Sequence, residues 1–427
     1  MRIKEITALE IIDSRACPTI SVTVRLEDGS FGESSVPSGA STGAYEAVEL
    51  RDDDKSRYHG SGVLQVIRNI EEIIDPKLIN QDVYKQEEID QIMIDLDGTD
   101  NKSKLGANAI LAVSMACAKA ASVSSSMPLY EYLSQLNPKF SGNYLMPIPM
   151  MNLLNGGKHA DWSTDIQEYM ILPVGAKNFD QAIRMGVEIY QSLKSILQKN
   201  NYSICVGDEG GFAPKFKDNE EAFKFLEQAV ITSNYKLNKD IVFAIDAAAT
   251  EFHHGNLYHL TKEGRQLTSN QLIKFYKNLA DTYPIISFED PLAEDDWQGF
   301  KDFSQSLKGV QVVGDDLYVT NTKRLERGIK EKSTNSILIK LNQIGTLSET
   351  IKAINLAQEN NLTTIISHRS GETEDTFIAD LSVAMESGQI KTGAPCRSER
   401  TSKYNRLLRI ASELGPKTTY AKFPFKV

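Results

Sequence analysis

Three acidic residues of the sequence each stand at the end of a short apolar run. The runs are rich in Ile, Val and Phe, which predicts buried strands, and the acids that follow them are Asp246, Glu289 and Asp315. A buried carboxylate is unfavourable unless it is paired or binds a metal. Carboxylate oxygens suit Mg²⁺ or Mn²⁺. Because the three acids recur at the same place in the pattern, a divalent-metal site is favoured over three solvated loop residues.

Two lysines end further apolar runs in the same way, and they are Lys340 and Lys391. Near a metal and a second lysine, the pKa of a buried lysine should be lowered, which would make it a base. The alternative is a lysine whose stem is buried while its ammonium reaches solvent. Placement at a strand end favours the first interpretation.

Further polar residues stand at the ends of other predicted strands or in loops beside them. His368, Arg369 and Ser370 combine planar donors with a hydroxyl, which suits a phosphate group. Glu168 and Glu209 could serve as an acid pair. Their spacing alone leaves open whether they form such a pair or are unrelated loop acids.

These side chains require a frame that brings strand ends together. From Glu289 onward the polar ends recur roughly every 25 residues, which is room for one strand, one helix and two loops. Strands that alternate with helices predict a parallel sheet, and this many units predict a closed (β/α) barrel. The C-terminal strand ends of such a barrel meet at one mouth, so we expect the acids, the lysines and residues 368–370 to converge there.

The first part of the chain has a different pattern. Residues 20–26 alternate between apolar and polar, which predicts a half-buried strand, and a second strand and several helices follow. We predict an N-terminal α+β domain over residues 1–136 and a barrel domain over residues 137–427. The crossing lies in a segment with several prolines.

The composition limits the location and the partners. The 427 residues carry a formal net charge of -10, which argues against a nucleic-acid partner held by charge. The four cysteines are far apart and form no CxxC pair, as is typical of reducing compartments. We find no secretory apolar segment, and the most apolar stretch, residues 107–121, is shorter than a membrane span. We expect a cytoplasmic protein that neither inserts into membranes nor binds nucleic acid directly.

Nine stretches of the sequence, in the same order, resemble the enolase (phosphopyruvate hydratase) family over essentially the full chain. They are residues 36–43 (VPSGASTG), 151–161 (MNLLNGGKHAD), 167–175 (QEYMILPVG), 206–214 (VGDEGGFAP), 288–292 (FEDPL), 313–321 (VGDDLYVTN), 340–346 (KLNQIGT), 367–375 (SHRSGETED) and 388–404 (GQIKTGAPCRSERTSKY). Residues 335–340 (NSILIK) favour the bacterial branch of that family.

The resemblance implies a fold and a reaction. The fold would be α/β, a (β/α)8-type barrel of enolase topology with an antiparallel start, capped by the N-terminal α+β domain. The reaction would be the reversible Mg²⁺-dependent dehydration of 2-phospho-D-glycerate to phosphoenolpyruvate, in glycolysis and gluconeogenesis. The resemblance also implies a homodimer, with an octamer as the alternative, further protein partners, and a secondary cell-surface or secreted pool.

The resemblance implies a role for each matched residue. Asp246, Glu289 and Asp315 resemble the ligands of a first Mg²⁺. Ser41 resembles a ligand of a second Mg²⁺ that binds together with substrate. Lys340 resembles the base that takes the C2 proton of the substrate.

The other matched residues resemble the groups that hold the substrate and assist the leaving group. Glu209, with Glu168 nearby, resembles the acid side that helps the C3 hydroxide to leave. Arg369 and Ser370 resemble phosphate contacts. Four more residues resemble further substrate or catalytic contacts, and they are His368, Lys391, His159 and Gln167.

The sequence departs from the usual family pattern at three places, and they are Ala16-Cys17, Trp162 and Met385-Glu386-Ser387. None of these departures removes a catalytic group, so they bear on loop closure, interfaces and rate. Two alternatives remain for the function. One is another enzyme of the superfamily that abstracts a proton next to a carboxylate with one metal. The other is a non-catalytic binding protein on this scaffold.

Overall fold

The computed structural model describes residues 1–39 and 43–426, and for His159 it describes the backbone alone. The predicted metal ligand Ser41 therefore lies outside the described residues.

The N-terminal domain begins with a three-stranded antiparallel sheet in the order β1-β2-β3. The strands are β1 (Ile3–Ile12), β2 (Pro18–Leu26) and β3 (Phe31–Ser35). Ile20, Val22 and Val24 on one face of β2 are fully buried, as the alternation in the sequence predicts. The helices that follow are α1 (Leu64–Arg68), α2 (Asp75–Leu78), α3 (Gln86–Asp97), α4 (Ala107–Ser124) and α5 (Leu129–Gln135), with a π-helical segment, Asn69–Ile74, between α1 and α2.

Helix α4 forms the centre of this domain and packs against β2 and β3. Gly32 permits the close approach, because an added Cβ would lie 2.2 Å from the backbone nitrogen of Ala120 in α4. Within the described part of the chain, α4 is the one helix long and apolar enough to cross a membrane. Since 83% of that segment is buried inside the protein, it is a core helix of the folded chain.

The C-terminal domain is a closed eight-stranded barrel with a short parallel pair, β4 and β16, outside it. In chain order its strands are β4 (Tyr144–Met146), β5 (Ile148–Asn155), β6 (Glu168–Leu172), β7 (Val242–Asp246), β8 (His253–His254), β9 (Leu257–Leu260), β10 (Arg265–Leu267), β11 (Ile285–Glu289), β12 (Gln311–Gly314), β13 (Ser336–Ile339), β14 (Thr363–Ser367), β15 (Gly388–Lys391) and β16 (Thr418–Tyr420). Strands β8 to β10 form a separate small sheet.

The helices of this domain are α6 (Phe179–Lys199), α7 (Asn219–Thr232), α8 (Ser269–Thr282), α9 (Trp297–Ser306), α10 (Thr322–Glu331), α11 (Leu341–Ile344), α12 (Leu347–Glu359), α13 (Phe377–Ala384) and α14 (Ser398–Leu414). The barrel order is β5-β6-β7-β11-β12-β13-β14-β15. β6 is antiparallel to both of its neighbours, and the other barrel neighbours pair in parallel. This confirms the barrel and the antiparallel start that the resemblance implied.

The two-residue period of a strand explains why the barrel interior is apolar and why charged side chains lie at its mouth. Val242 and Ala244 of β7 belong to the apolar cluster that fills the barrel, and Asp246 points to the same side, two residues further on. In β6 the residue at the mouth is the first one, Glu168, because this strand runs in the opposite direction. Glu168 and Asp246 are cross-strand neighbours. The alternation therefore places a charged layer directly on an apolar one.

One continuous hydrophobic cluster includes residues of both domains, for example Ile110 of α4 and Phe377 of α13. The predicted division between residues 136 and 137 stays a prediction, because no gap in the packing separates the two halves. A backbone bridge strengthens the contact, since Ser38 and Gly371 exchange N–H···O bonds of 2.8 and 2.9 Å.

A partly buried ion pair also joins the domains. Lys119 of α4 donates to both oxygens of Asp375 at 2.9 and 2.8 Å, and Asp375 also accepts from the Ser34 hydroxyl and the Ser35 backbone N–H, both at 2.8 Å. Burial by itself raises the pKa of Asp375, but Lys119 and these hydrogen bonds outweigh it, so the pKa lies below its ordinary value. The carboxylate is therefore ionised at neutral pH.

We expect Asp375→Asn to lower the free energy of unfolding by about 3 kcal/mol at neutral pH, because Lys119 loses its buried partner. A group with a lowered folded pKa stabilises fully above its unfolded pKa, and it loses that effect as pH falls through the folded value. The difference between wild type and variant should therefore shrink below pH 3.8, the ordinary carboxyl value. Urea unfolding across pH measures this, and the double variant Lys119→Met, Asp375→Asn is the control. An unchanged midpoint at neutral pH would contradict the assignment.

Candidate active site

The charged layer of the barrel opens into a cleft. Ten of the residues predicted from the sequence line it, and they are Gln167, Glu168, Glu209, Asp246, Asp315, Lys340, His368, Arg369, Ser370 and Lys391. Glu289 is fully buried beneath them. Of the remaining predicted residues, Ser41 and the side chain of His159 lie outside the description.

Lys391 stands at the centre of the charged layer and is 2% exposed. Its ammonium lies 2.8 Å from Glu289, 2.9 Å from Asp246 and 3.0 Å from Glu168. Burial alone would lower the pKa of Lys391, but these carboxylates outweigh it and raise the pKa well above its usual range. Lys391 therefore stays positively charged, which suits the stabilisation of negative charge rather than the removal of a proton.

Lys340 forms a short ion pair with Asp315, whose second oxygen accepts a hydrogen bond of 2.8 Å from Gln343. Burial lowers the pKa of Lys340. Attraction by Asp315, together with other acids near the lysine, outweighs burial, so the net pKa is raised. The net pKa is raised because a carboxylate, rather than a second cation, faces the ammonium most closely. The sequence predicts a lowered pKa for a lysine beside a bound metal, and that expectation stays a prediction.

The predicted metal ligands offer oxygens of the kind that hold a divalent cation. The buried Oε2 atom of Glu289 has no hydrogen-bond partner among the described residues. A buried polar atom without a partner is unfavourable, and a bound cation would supply one. Burial, followed by the charge of Asp246, raises the pKa of Glu289 well above its usual range. A positive ion beside Asp246, Glu289 and Asp315 would offset both the burial of Glu289 and its repulsion by Asp246, so these oxygen ligands fit Mg²⁺.

A second cluster of acidic residues lies beside the predicted metal ligands, and the two sets share Asp315. Side-chain oxygens of Asp290, Asp315 and Asp316 lie within 4.8 Å of one another. Asp290, however, uses one oxygen to accept from the backbone N–H of Asp315 at 2.9 Å and the other to accept from that of Asp316 at 2.7 Å. Asp290 therefore shapes the loop after β12, and both of its oxygens already accept hydrogen bonds from backbone N–H groups.

The structure brings Glu168 and Glu209 together, which the sequence spacing left open. Burial raises the pKa of Glu168 well above its usual range, the charge of Glu209 raises it further, and Lys391 opposes both. Glu209 is oriented by Asn152 of β5, whose amide donates to Oε2 at 2.8 Å. Burial and the charge of Glu209 therefore favour the protonated form of Glu168, which suits a group that donates a proton.

The predicted phosphate contact Arg369 is buried and lies between the two domains. Its guanidinium donates to both oxygens of Glu46 at 2.8 and 3.2 Å and to Asn342 at 2.9 Å. Burial lowers the pKa of Arg369, but Glu46 raises it by more, so the guanidinium keeps its charge. Ser370 is also buried beside it.

Sequence reasoning missed three residues at this site, Asn152, Glu46 and Arg400. Asn152 is a polar residue inside the apolar run 150–154, and that anomaly is the signal that could have identified it. Arg400 lies in the stretch 388–404 that carries the resemblance, but its partners are distant in the sequence. Its fully buried guanidinium contacts the ring of His368.

Comparison with known families covers both domains. A family model described as "Enolase, N-terminal domain" matches residues 3–133, and one described as "Enolase, C-terminal TIM barrel domain" matches residues 143–426. Together they account for nearly the whole chain.

Proposed function

The chain belongs to the enolase family, and we propose that the residues of its cleft catalyse the family reaction in the roles given below. The protein is a phosphopyruvate hydratase, a hydro-lyase that interconverts 2-phosphoglycerate and phosphoenolpyruvate, and its family uses a divalent metal. The observation that supports the residue roles is the convergence of ten predicted side chains on one cleft.

Lys340 is assigned as the base that takes the C2 proton. A base must lose its own proton before it can accept another, and the ion pair with Asp315 opposes that loss. The lysine therefore becomes an effective base only when Asp315 has another positive partner. A lysine base with Mg²⁺ is the arrangement already described for the enolase superfamily.

We propose two Mg²⁺ ions per site, the first held by Asp246, Glu289 and Asp315 and the second, with Ser41, bound together with substrate. When bound, these cations would neutralise charge that develops on the substrate carboxylate. Lys391 pairs with two of these acids, Asp246 and Glu289, as a permanent cation and supports that charge from the protein side.

Glu209 and Glu168 are assigned to the acid side, where the C3 hydroxide leaves. The raised pKa of Glu168 favours the protonated form of this carboxyl group, as a proton donor requires. Arg369 and Ser370 are assigned to the phosphate, because a planar guanidinium binds phosphate through paired hydrogen bonds. Three residues are assigned to further substrate contacts, and they are His159, Gln167 and His368.

The assembly and the location are also proposals. We propose a homodimer, with an octamer as the alternative, in the cytoplasm, with any cell-surface pool secondary to it. The described structure contains four free cysteines and no disulfide among them, in keeping with a reducing compartment. The family match over both domains argues against a non-catalytic scaffold and against another activity of the superfamily.

The decisive assay follows the absorbance of phosphoenolpyruvate after addition of 2-phosphoglycerate, with and without Mg²⁺. Product that forms only with Mg²⁺ supports the proposal. Absence of turnover with Mg²⁺ present would contradict it, and turnover of a different carboxylate substrate would favour another enzyme of the superfamily.

Trp162 should report ligand binding through its fluorescence. It is 38% exposed and follows the turn Gly157–Ala160, which carries His159. Indole emission depends on contact with water, and ligand binding expels water from an enclosed site. In a Trp297→Phe background we expect emission to change when Mg²⁺ and a phosphoglycerate analogue bind together, and to change less with Mg²⁺ alone.

The background variant removes the other tryptophan, which is buried at the start of α9. Emission that stays constant up to ligand saturation would show that Trp162 remains in one environment. In that case Trp162 has no role in loop closure.

A further inference from the structure

Arg400 is a fully buried arginine in the first turn of α14. One terminal nitrogen of its guanidinium donates to the backbone carbonyl of Arg369 at 2.6 Å and lies 2.5 Å from Nδ1 of His368. The other terminal nitrogen donates to the carbonyls of Ser370 at 2.6 Å and Asp208 at 3.0 Å. The side chain therefore joins the loop after β14 to the loop that carries Glu209.

The contact with Arg400 determines where the ring of His368 carries its proton. A guanidinium has hydrogen-bond donors and no acceptor, so the Nδ1 atom that faces it must offer a lone pair. The proton of the neutral ring then lies on Nε2, because the hydrogen bond at one ring nitrogen fixes the state of the other. This Nε2 atom is buried, has no hydrogen-bond partner among the described residues, and lies 3.7 Å from Oε1 of Glu209.

The charges around His368 favour the neutral ring. Burial is the largest effect and lowers the pKa of His368 well below its usual range, and Arg400, Lys391 and Lys340 lower it further. Glu209 is the opposing charge and raises it. A second proton on Nδ1 would also point directly at the guanidinium of Arg400.

We propose that Arg400 is a positioning residue that holds His368 as the Nε2–H tautomer and so directs a hydrogen-bond donor at Glu209 on the leaving-group side. The proposal rests on the acid-side role proposed for Glu209. Nothing in the reaction requires Arg400 to touch the substrate, since it acts through the imidazole ring.

The alternative is that Arg400 only ties two loops together through the three carbonyls. The two explanations differ in what happens to the imidazole, so the test reads the ring directly. The chain has six histidines, and ¹⁵N spectra of histidine-labelled protein distinguish Nδ1–H, Nε2–H and doubly protonated rings. The variant His368→Gln identifies the signal of His368 by its loss.

We expect wild-type His368 to be the Nε2–H tautomer between pH 6 and 8. In Arg400→Lys, which keeps a cationic donor, that tautomer should persist. In Arg400→Met the signal should shift towards a tautomer mixture or a protonated ring. For Arg400→Met, kcat with 2-phosphoglycerate and Mg²⁺ should fall by about 10- to 100-fold, with a smaller change in KM, as when a group that orients a histidine is lost.

Arg406→Met is the matched control, because Arg406 lies on the same helix and pairs with Asp380 instead of the site. It should change neither the signal of His368 nor the pH profile of kcat/KM. Arg400→Met should add an acidic limb to that profile, as the ring becomes protonated.

Three results would overturn the proposal. A wild-type ring with a proton on Nδ1 would refute the tautomer assignment. A signal of His368 that is unchanged in Arg400→Met, despite lost activity, would show that Arg400 only joins the two loops and does not set the state of the ring. A changed tautomer with undiminished kcat would show that the Nε2–H donor of His368 has no part in the leaving-group step, whereas the role of Glu209 itself is tested by Glu209→Gln. If Arg400→Met does not fold, the wild-type ring state and that of Arg400→Lys decide the question.

Discussion

Lys340→Ala will fail to exchange the C2 proton of 2-phosphoglycerate with solvent, whereas Glu209→Gln will still exchange it and fail to eliminate water. Each variant should lose about 10²- to 10⁴-fold in turnover, the range for loss of a general acid or base. The two defects should separate because Lys340 lies beside Asp315, whereas Glu209 is held by Asn152 and faces His368.

The experiment incubates each variant with substrate in deuterated buffer and follows the C2 hydrogen by NMR. Lys323→Ala, which alters an exposed lysine of α10, is the control and should behave as wild type. Exchange that persists in Lys340→Ala would require another base in the cleft. Loss of exchange in Glu209→Gln would place both residues in the same half-reaction.

Glu289→Gln will lose Mg²⁺ binding and at least about a hundredfold in turnover, and chelation of wild-type enzyme will abolish turnover. Charge stabilisation by a metal ion contributes several kcal/mol, and each 1.4 kcal/mol is about a tenfold change in rate. Gln keeps the volume of Glu289 but removes its charge. It leaves Lys391 paired with Asp246 and Glu168.

The neighbouring acidic group supplies the matched control for this variant. Asp316→Asn removes a charge from the cluster of Asp290, Asp315 and Asp316 without touching Asp246 or Glu289. Calorimetric titration with Mg²⁺ should show binding in Asp316→Asn and not in Glu289→Gln. The opposite result would move the metal site to the second cluster, and full activity after chelation would remove the metal from the mechanism.

The sequence predicted those parts of the site that follow from local pattern. Asp246 ends a short apolar run, which identifies a buried strand, and the two-residue period of that strand points the acid into the barrel. The parallel βα spacing likewise placed Lys340 and Lys391 at the mouth. Functional residues are expected at the C-terminal ends of barrel strands, but Glu168 is an exception. Strand β6 runs in the opposite direction, so its first residue faces the cleft.

The rest of the site depends on contacts between distant parts of the chain. The charged state of Lys340 depends on Asp315, and the orientation of His368 depends on Arg400. Glu46 reaches Arg369 from the N-terminal domain. Periodicity and spacing carry no information about such ion pairs and hydrogen bonds. The sequence could therefore predict which residues meet at the mouth but not which of them bind one another.

The hydrophobic cluster that both domains share has a consequence for how such a chain can evolve. A recombination event that joined this N-terminal half to the barrel of a relative would have to keep Asp375 as the partner of Lys119 and keep the backbone bridge between Ser38 and Gly371. Apolar side chains on both sides of the junction would also have to fit without voids. We therefore expect hybrid chains to fold only when the apolar side chains of the two parents match at this junction.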